Sequence, residues 1–318
     1  MKAAFLDFAT LGPGVDTAAL DALLEVSYHT RCTPDEIRER LGGKQVALLN
    51  KATLDRDLIA GSRELKLIVL AATGTDNVDL AAAEARGVAV SNIRDYCTAA
   101  VVEHVMALVL GLTRRLGGCP TPRSGTAWQA SETRVLFEYP LRELAGKTLG
   151  VVGYGTLGRG LAQAARCFGM DVLVAERPAV TPGGVRAGRT PWRELLRRAD
   201  VVSLHCPLTD ENRHMIGSAE LRLMKREALL INTARGALID SAALVEALEA
   251  GVIGGAGIDV LESEPPPDDE PLLRPDIPNL ILTPHIAWTA RESRQRAVDQ
   301  MAENVADFLD GGRLRRVV

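Results

Sequence analysis

Six residues, Gly153-Tyr154-Gly155-Thr156-Leu157-Gly158, constrain the fold of this chain more than any others. They fit G-x-G-x-x-G, a pattern that is weak alone and strong in the right setting. Here an apolar run at 149–152 precedes it and a helix-forming run at 161–168 follows it. The first two glycines permit a tight turn and a close backbone approach to a bound group. The third lets the helix sit directly on the strand. The helix N-terminus then offers unpaired N–H groups and a partial positive charge, which is a cradle for phosphate. Such a turn belongs to a parallel sheet wound on both faces by helices.

The rest of the chain keeps that rhythm. Short apolar runs at 148–153, 171–176, 200–206, 228–233, 255–260 and 280–283 read as six strands with helices between them, one complete doubly wound unit. Earlier runs at 2–8, 46–50, 65–71 and 88–92 read as strands of another parallel sheet, with helices at 16–24 and 34–41. A long helical pattern covers 98–116. Glycine and proline then crowd 117–125 into a loop, and a charged amphipathic helix covers 289–309. The six-strand unit is complete before that last helix, so the helix is expected to return to the first domain. The expected division is 1–97 plus 287–318 for one domain, with 98–286 inserted into it.

Composition narrows the function classes. The 318 residues carry 37 Lys+Arg and 41 Asp+Glu, a net charge of −4, which argues against a nucleic-acid partner. No uninterrupted apolar run reaches the ~18 residues of a membrane span. The five cysteines (Cys32, Cys97, Cys119, Cys167 and Cys206) are scattered, with no CxxC pair. They point to no metal site and to a reducing, cytoplasmic interior.

Glu176 closes the strand after the glycine turn, 23 residues beyond Gly153. A carboxylate there can accept hydrogen bonds from ribose hydroxyls and repel a 2′-phosphate, which favours NAD. Its neighbour Arg177 could serve NADP instead. Three further polar residues follow the later strands, where doubly wound sheets place their ligands. Arg235 stands in Asn232-Thr233-Ala234-Arg235-Gly236, Glu264 in Glu262-Ser263-Glu264-Pro265, and His285 in Thr283-Pro284-His285-Ile286-Ala287-Trp288. Arginine grips a carboxylate with a planar fork. Histidine can deliver a proton near neutral pH, and a carboxylate can hold its ring. Each residue has a blander reading as a surface or capping group. Together, downstream of a phosphate-binding turn, they suit reduction of a 2-keto acid.

These segments resemble the D-isomer-specific 2-hydroxyacid dehydrogenases. Thr73-Gly74-Thr75-Asp76-Asn77-Val78-Asp79, Val102-Glu103-His104 and Gly146-Lys147-Thr148-Leu149-Gly150 extend the likeness over essentially the whole chain. Ala175-Glu176-Arg177 and Leu204-His205-Cys206-Pro207-Leu208-Thr209 bring it closest to the glycerate dehydrogenase (hydroxypyruvate reductase) branch. The resemblance implies an α/β fold of two doubly wound parallel-sheet domains, a Rossmann NAD domain inserted in a flavodoxin-like substrate domain. It implies that Arg235 binds substrate, His285 is the acid/base and Glu264 its partner. Ala72, Thr73, Gly74 and Thr75 would meet the substrate carboxylate. Tyr154, Thr156 and Leu157 would follow the pyrophosphate, and Cys206, Pro207 and Thr209 the adenosine and its phosphates. Ala234 and Asp259 would face the nicotinamide. Arg177, His205, Thr233, Arg235, His285 and Ala287 complete the implied cofactor set.

The implied partners are a small 2-keto or 2-hydroxy acid, NAD with NADP as the alternative, and a second copy of the chain. The dimer would form through the long helix and a loop at 125–131 bearing Trp128. Hydroxypyruvate or glyoxylate is the expected substrate. A related acid such as 3-phosphoglycerate, or a non-catalytic dinucleotide-sensing role, are the alternatives. Of the five histidines, His29 and His214 sit in surface-like contexts without evident partners. His104 reads as a helix-packing residue, and His205 lines a strand end. Only His285 combines a strand end, a candidate carboxylate and a nearby arginine.

Overall fold

The computed structural model describes residues 1–116, 126–135, 141–180 and 184–318. The loop expected at 117–125, with Cys119 and the start of the 125–131 segment, lies outside the described residues. The chain forms two compact units, Met1–Cys97 with Trp288–Val318, and Thr98–Ala287.

The first unit carries β1 (Lys2–Phe5), α1 (Ala18–Leu23), β2 (Glu25–Tyr28), α2 (Pro34–Arg40), β3 (Val46–Leu49), α3 (Arg56–Gly61), β4 (Leu67–Leu70), α4 (Leu80–Ala85) and β5 (Ala89–Ser91). Its five strands pair in parallel in the order β2-β1-β3-β4-β5, the flavodoxin-like winding. β3 and β4 are wholly buried, as both faces of the sheet are covered. Helix starts are coded locally. Thr33 and Glu36 form a capping box with Pro34 behind them, Asp55 accepts from Leu58 N–H, and Asp79 accepts from Ala82 N–H.

Two strand readings change in this unit. The strand expected over 2–8 stops at Phe5, and Phe8–Leu11 is a short 3₁₀ turn. The reason is Asp7, which turns inward and accepts from the N–H groups of Asn50 (2.9 Å), Lys51 (2.5 Å) and Ala52 (2.7 Å). β2 was not expected from sequence, because its polar–apolar alternation, Glu25-Val26-Ser27-Tyr28, runs for only four residues on a partly exposed edge strand.

The second unit begins with α5 (Thr98–Thr113) and α6 (Thr126–Gln129). It continues with β6 (Thr148–Val152), α7 (Thr156–Cys167), β7 (Asp171–Val174), α8 (Trp192–Arg198), β8 (Val201–Leu204) and α9 (Ser218–Leu221). It ends with β9 (Leu229–Asn232), α10 (Ser241–Glu249), β10 (Gly255–Ile258) and β11 (Leu280–Leu282). All six expected strands are present and parallel, in the order β11-β10-β9-β8-β6-β7. A Rossmann sheet has one more strand beyond the second. Here that strand is reduced to a single parallel bridge, Ala175 to Thr190. The order reverses between β6 and β8, so the crevice for a ligand lies at their C-terminal ends. α11 (Arg291–Leu309) closes the chain and packs on α1 and β4 in the first unit. Among the described residues no helix is long and apolar enough to cross a membrane.

Candidate active site

The C-terminal ends of β9, β10 and β11 lie side by side, with Asn232, Ile258 and Leu282 in one register row. Each strand carries one of the expected polar residues just beyond that row. After β9, the fully buried Asn232 shapes the turn. Its Oδ1 accepts from Ala234 N–H (3.0 Å) and its Nδ2 donates to Arg235 O (2.9 Å). Gly236 then passes so close to the next strand's loop that a Cβ would stand 2.0 Å from the Leu261 carbonyl carbon. Arg235 is thereby presented at the sheet edge, its Nη1 donating to Ala234 O (2.8 Å).

After β11, His285 is held in the left-handed region, φ 54°. That conformation costs a non-glycine residue about 1–2 kcal/mol. The offset comes from Asp259, 1% exposed, at the end of β10. Its backbone O accepts from His285 N–H (2.7 Å). Its Oδ1 accepts from Thr283 Oγ1–H (2.6 Å) and Ile286 N–H (2.9 Å), and its Oδ2 from Ala287 N–H (2.9 Å). Leaving such buried donors unpaired costs about 1–3 kcal/mol each, which outweighs the strain. Asp259, given a cofactor-facing role by resemblance, therefore also organises the His285 loop. His104 extends this network, with Nε2 3.0 Å from Thr283 Oγ1 and 3.5 Å from Asp259 Oδ1. The helix-packing role expected for His104 misses that link, since nothing in sequence joins residue 104 to 259 and 283.

The His285 ring pairs through Nδ1 with Glu264 Oε2. Glu264 Oε1 accepts from Leu261 N–H (3.0 Å), which anchors the carboxylate to its own loop. Glu264 and His285 side chains retain 33% and 26% exposure, so a small acid can reach them.

At the other end of the crevice the glycine turn joins β6 to α7. Gly153 has φ 94°, and a Cβ there would lie 2.5 Å from Cys206 N and from the His205 carbonyl carbon. A Cβ on Gly158 would lie 2.1 Å from Gly153 O. Gly155 is different. It is the N-cap of α7, contributes no capping side chain, and has open space where a Cβ would stand. The first-turn N–H groups of Thr156, Leu157 and Gly158 are thus available to a phosphate. Two buried polar atoms along the same sheet edge, Thr233 Oγ1 and His205 Nδ1, have no hydrogen-bond partner among the described residues. An open helix start and unpaired strand-end polar atoms fit a dinucleotide.

Glu176 is placed at the end of β7 as expected, but it is 2% exposed and already engaged by Arg186. That guanidinium and the backbone N–H of Arg177 hold its carboxyl far below the usual carboxylate range. Arg186 had no sequence signal, since a lone arginine ten residues on in a loop has no period or motif. Tyr154 lies under the Arg189 guanidinium, 5.6 Å from its ring centroid. Cys206, Pro207 and Thr209 follow β8. There Asn212 ties the loop, accepting from Thr209 N–H (2.7 Å) and donating to Pro207 O (2.8 Å).

Ala72, Thr73, Gly74 and Thr75 follow β4 in the first unit. Thr73 is pinned there by Oγ1 donating to Ile93 O (2.9 Å) and by its O accepting from Asn92 Nδ2 (2.8 Å). His214, expected to be without a partner, pairs with Glu262 (2.9 Å), which also holds Arg213. The two elements are far apart in sequence, so the pairing arises only on folding.

His205 is bonded through Nε2 to Ser203 Oγ (2.9 Å), and burial pushes its pKa down to about 4. The unfolded chain takes up that proton near 6.5, so stability is lost as pH falls from about 6.5 to 4 and levels off below. The expected loss is on the order of 3 kcal/mol over that window. Urea unfolding of wild type and His205→Gln at pH 7 and pH 4.5 measures it. Equal pH sensitivity in the two proteins would sink the assignment.

Comparison with known proteins follows the same lines. The family profile described as "D-isomer specific 2-hydroxyacid dehydrogenase, NAD binding domain" matches residues 106–287. A glycerate dehydrogenase of Methylorubrum extorquens is 45% identical over 284 residues, 89% of this chain and 88% of that protein. A hydroxypyruvate reductase of Blautia hydrogenotrophica is 34% identical over 318 residues, covering 98% of each. Among solved structures, the TT0316 protein of Thermus thermophilus superposes with a TM-score of 0.86 at 35% identity, over 100% of both chains.

Proposed function

This chain belongs to the D-isomer specific 2-hydroxyacid dehydrogenase family, and on that premise we propose that it reduces short 2-keto acids, hydroxypyruvate or glyoxylate, to the D-2-hydroxy acids. It is an oxidoreductase using NAD(P). The observation that carries the mechanism is the His285–Glu264 pair at the sheet edge two strands from Arg235, and the similarity to a glycerate dehydrogenase and a hydroxypyruvate reductase supports the substrate. Glu264 accepts the Nδ1 proton of His285 and fixes the tautomer and tilt of the ring, so that Nε2 presents the other proton. Arg235 receives the substrate carboxylate in its fork and holds the adjacent carbonyl toward His285. When bound, the dinucleotide supplies a hydride to C2 of the keto acid. His285 Nε2 gives its proton to the carbonyl oxygen, so one hydride and one proton convert C=O to CH–OH. His285 is then neutral and takes up a proton for the next turnover.

The dinucleotide would be held at Gly153–Gly158 by backbone N–H groups. Thr233, Ala234 and Ala287 would line its nicotinamide end, and His205, Cys206, Pro207 and Thr209 the crevice between. Four described cysteines are free thiols, which suits a reducing cytoplasm. Leu116, Trp128, Val135 and Leu141 are large apolar side chains left exposed close together in sequence, which suits a homodimer. One preparation tests the reading. Loss of NADH or NADPH absorbance is followed against a panel of 2-keto acids, and mass is read by light scattering. Turnover with hydroxypyruvate or glyoxylate by a dimer is expected. No turnover with any 2-keto acid refutes the activity, and a monomer refutes the assembly.

A further inference from the structure

Four hydrogen bonds saturate Glu176. Its Oε1 accepts from Arg177 N–H (2.9 Å) and Arg186 Nη2 (2.6 Å). Its Oε2 accepts from Arg186 N–H (3.1 Å) and Arg186 Nε (2.8 Å). A carboxylate has about four lone-pair sites, so none remains for a ribose hydroxyl. The bond is charge-assisted and bidentate, the strong kind, and the Arg186 side chain is 57% exposed.

The surroundings are cationic. Arg189 is fixed beside the glutamate, donating from Nη1 to Ala175 O (3.2 Å) while its guanidinium lies over the Tyr154 ring of the glycine turn. The exposed Arg177 follows directly; the Thr209 side chain, more than Arg177, holds the nearby Glu211 carboxyl down. The Ala175–Thr190 bridge pins this loop to the end of β7. Three arginines, Arg177, Arg186 and Arg189, thus surround the end of β7, where the one buried carboxylate, Glu176, is fully bonded.

We propose that Arg186 sets the choice of dinucleotide: by saturating and neutralising Glu176 it removes the repulsion of a 2′-phosphate and leaves Arg177 and Arg189 to receive it. NADP(H) is then bound at least as tightly as NAD(H). This rests on the reading of the chain as an NAD(P)-dependent dehydrogenase. A ribose diol gains an acceptor only by displacing a guanidinium from Glu176, whereas a 2′-phosphate enters with the ion pair intact. On this proposal the NADP alternative, open in the sequence beside Glu176, gains over NAD, because the partner that neutralises the carboxylate lies ten residues further along the chain.

The test titrates the full-length protein, free of substrate, with NADPH and with NADH, following nucleotide fluorescence. Expected is an NADPH Kd equal to or below that of NADH. In Arg186→Ala, freed Glu176 should weaken NADPH at least tenfold and leave NADH unchanged or tighter. Arg186→Lys, which keeps the charge but loses the fork, should fall between them. Thermal unfolding of each variant confirms that it is folded. NADH binding more than tenfold tighter than NADPH in wild type overturns the proposal and leaves the dehydrogenase reading standing. So does an affinity ratio that both variants leave within twofold of wild type. Binding of neither nucleotide overturns both.

Discussion

Replacing His285 with alanine is expected to lower kcat and kcat/KM together by about 10²–10⁴-fold while dinucleotide affinity stays within a few fold. The proposed proton donor disappears, and the other imidazole near the end of β11, His104, is already engaged with Thr283 and Asp259. The β6–α7 turn proposed to hold the dinucleotide is untouched, so binding is expected to be retained. Glu264→Ala is expected to cost less, because the ring survives but loses the acceptor that sets its tautomer and tilt. The double variant should be little worse than His285→Ala alone, since Glu264 is proposed to act only through the His285 ring. Steady-state kinetics with hydroxypyruvate, paired with nucleotide titration, reads all three. Wild-type turnover in His285→Ala would remove the residue from its role. Multiplicative losses in the double variant would show that Glu264 acts on something other than the ring.

The second large effect is structural. Gly153→Ala places a methyl 2.5 Å from Cys206 N and the His205 carbonyl carbon, at a φ of 94°. Both neighbours are backbone, in a segment tied to β6 by His205 N–H donating to Val152 O (2.7 Å). No rotamer change relieves the clash, so the β8 end must move away from β6. Strain and overpacking together are expected to cost about 2–5 kcal/mol, and the crevice opens just where phosphates are to be cradled. A lower urea midpoint and a dinucleotide Kd raised at least tenfold are the expected readings. Gly155→Ala serves as the contrast, since a Cβ there meets no protein atom within 4 Å. It should fold normally and still weaken the dinucleotide. An alanine at 153 that leaves both stability and affinity unaltered would mean that the turn is looser than its geometry indicates.

Much of the site was legible before folding, because its parts are local. A glycine pattern, a strand before it and a helix after it occupy one short stretch. Arg235, Glu264 and His285 each follow a strand that announces itself as an apolar run. The less legible parts were weak or distant signals. β2 is a partly exposed edge strand whose alternation runs for only four residues. The third Rossmann strand shrinks to one bridge at Thr190, too short for any periodicity. His104 meets Thr283 across 179 residues of chain, and His214 meets Glu262 across 48.

The winding, the glycine turn and the candidate pair of His285 and Glu264 could all be read from residue type and short spacing. Tertiary structure decided what those residues can do. It bent His285 into a left-handed conformation and supplied Asp259 to hold it there. It also brought Arg186 onto Glu176, turning an open ribose acceptor into a neutralised ion pair. The physical reason is the same in both cases. A carboxylate's chemistry is set by which donors reach its lone pairs, and those donors are gathered by the fold from positions that the chain alone does not connect.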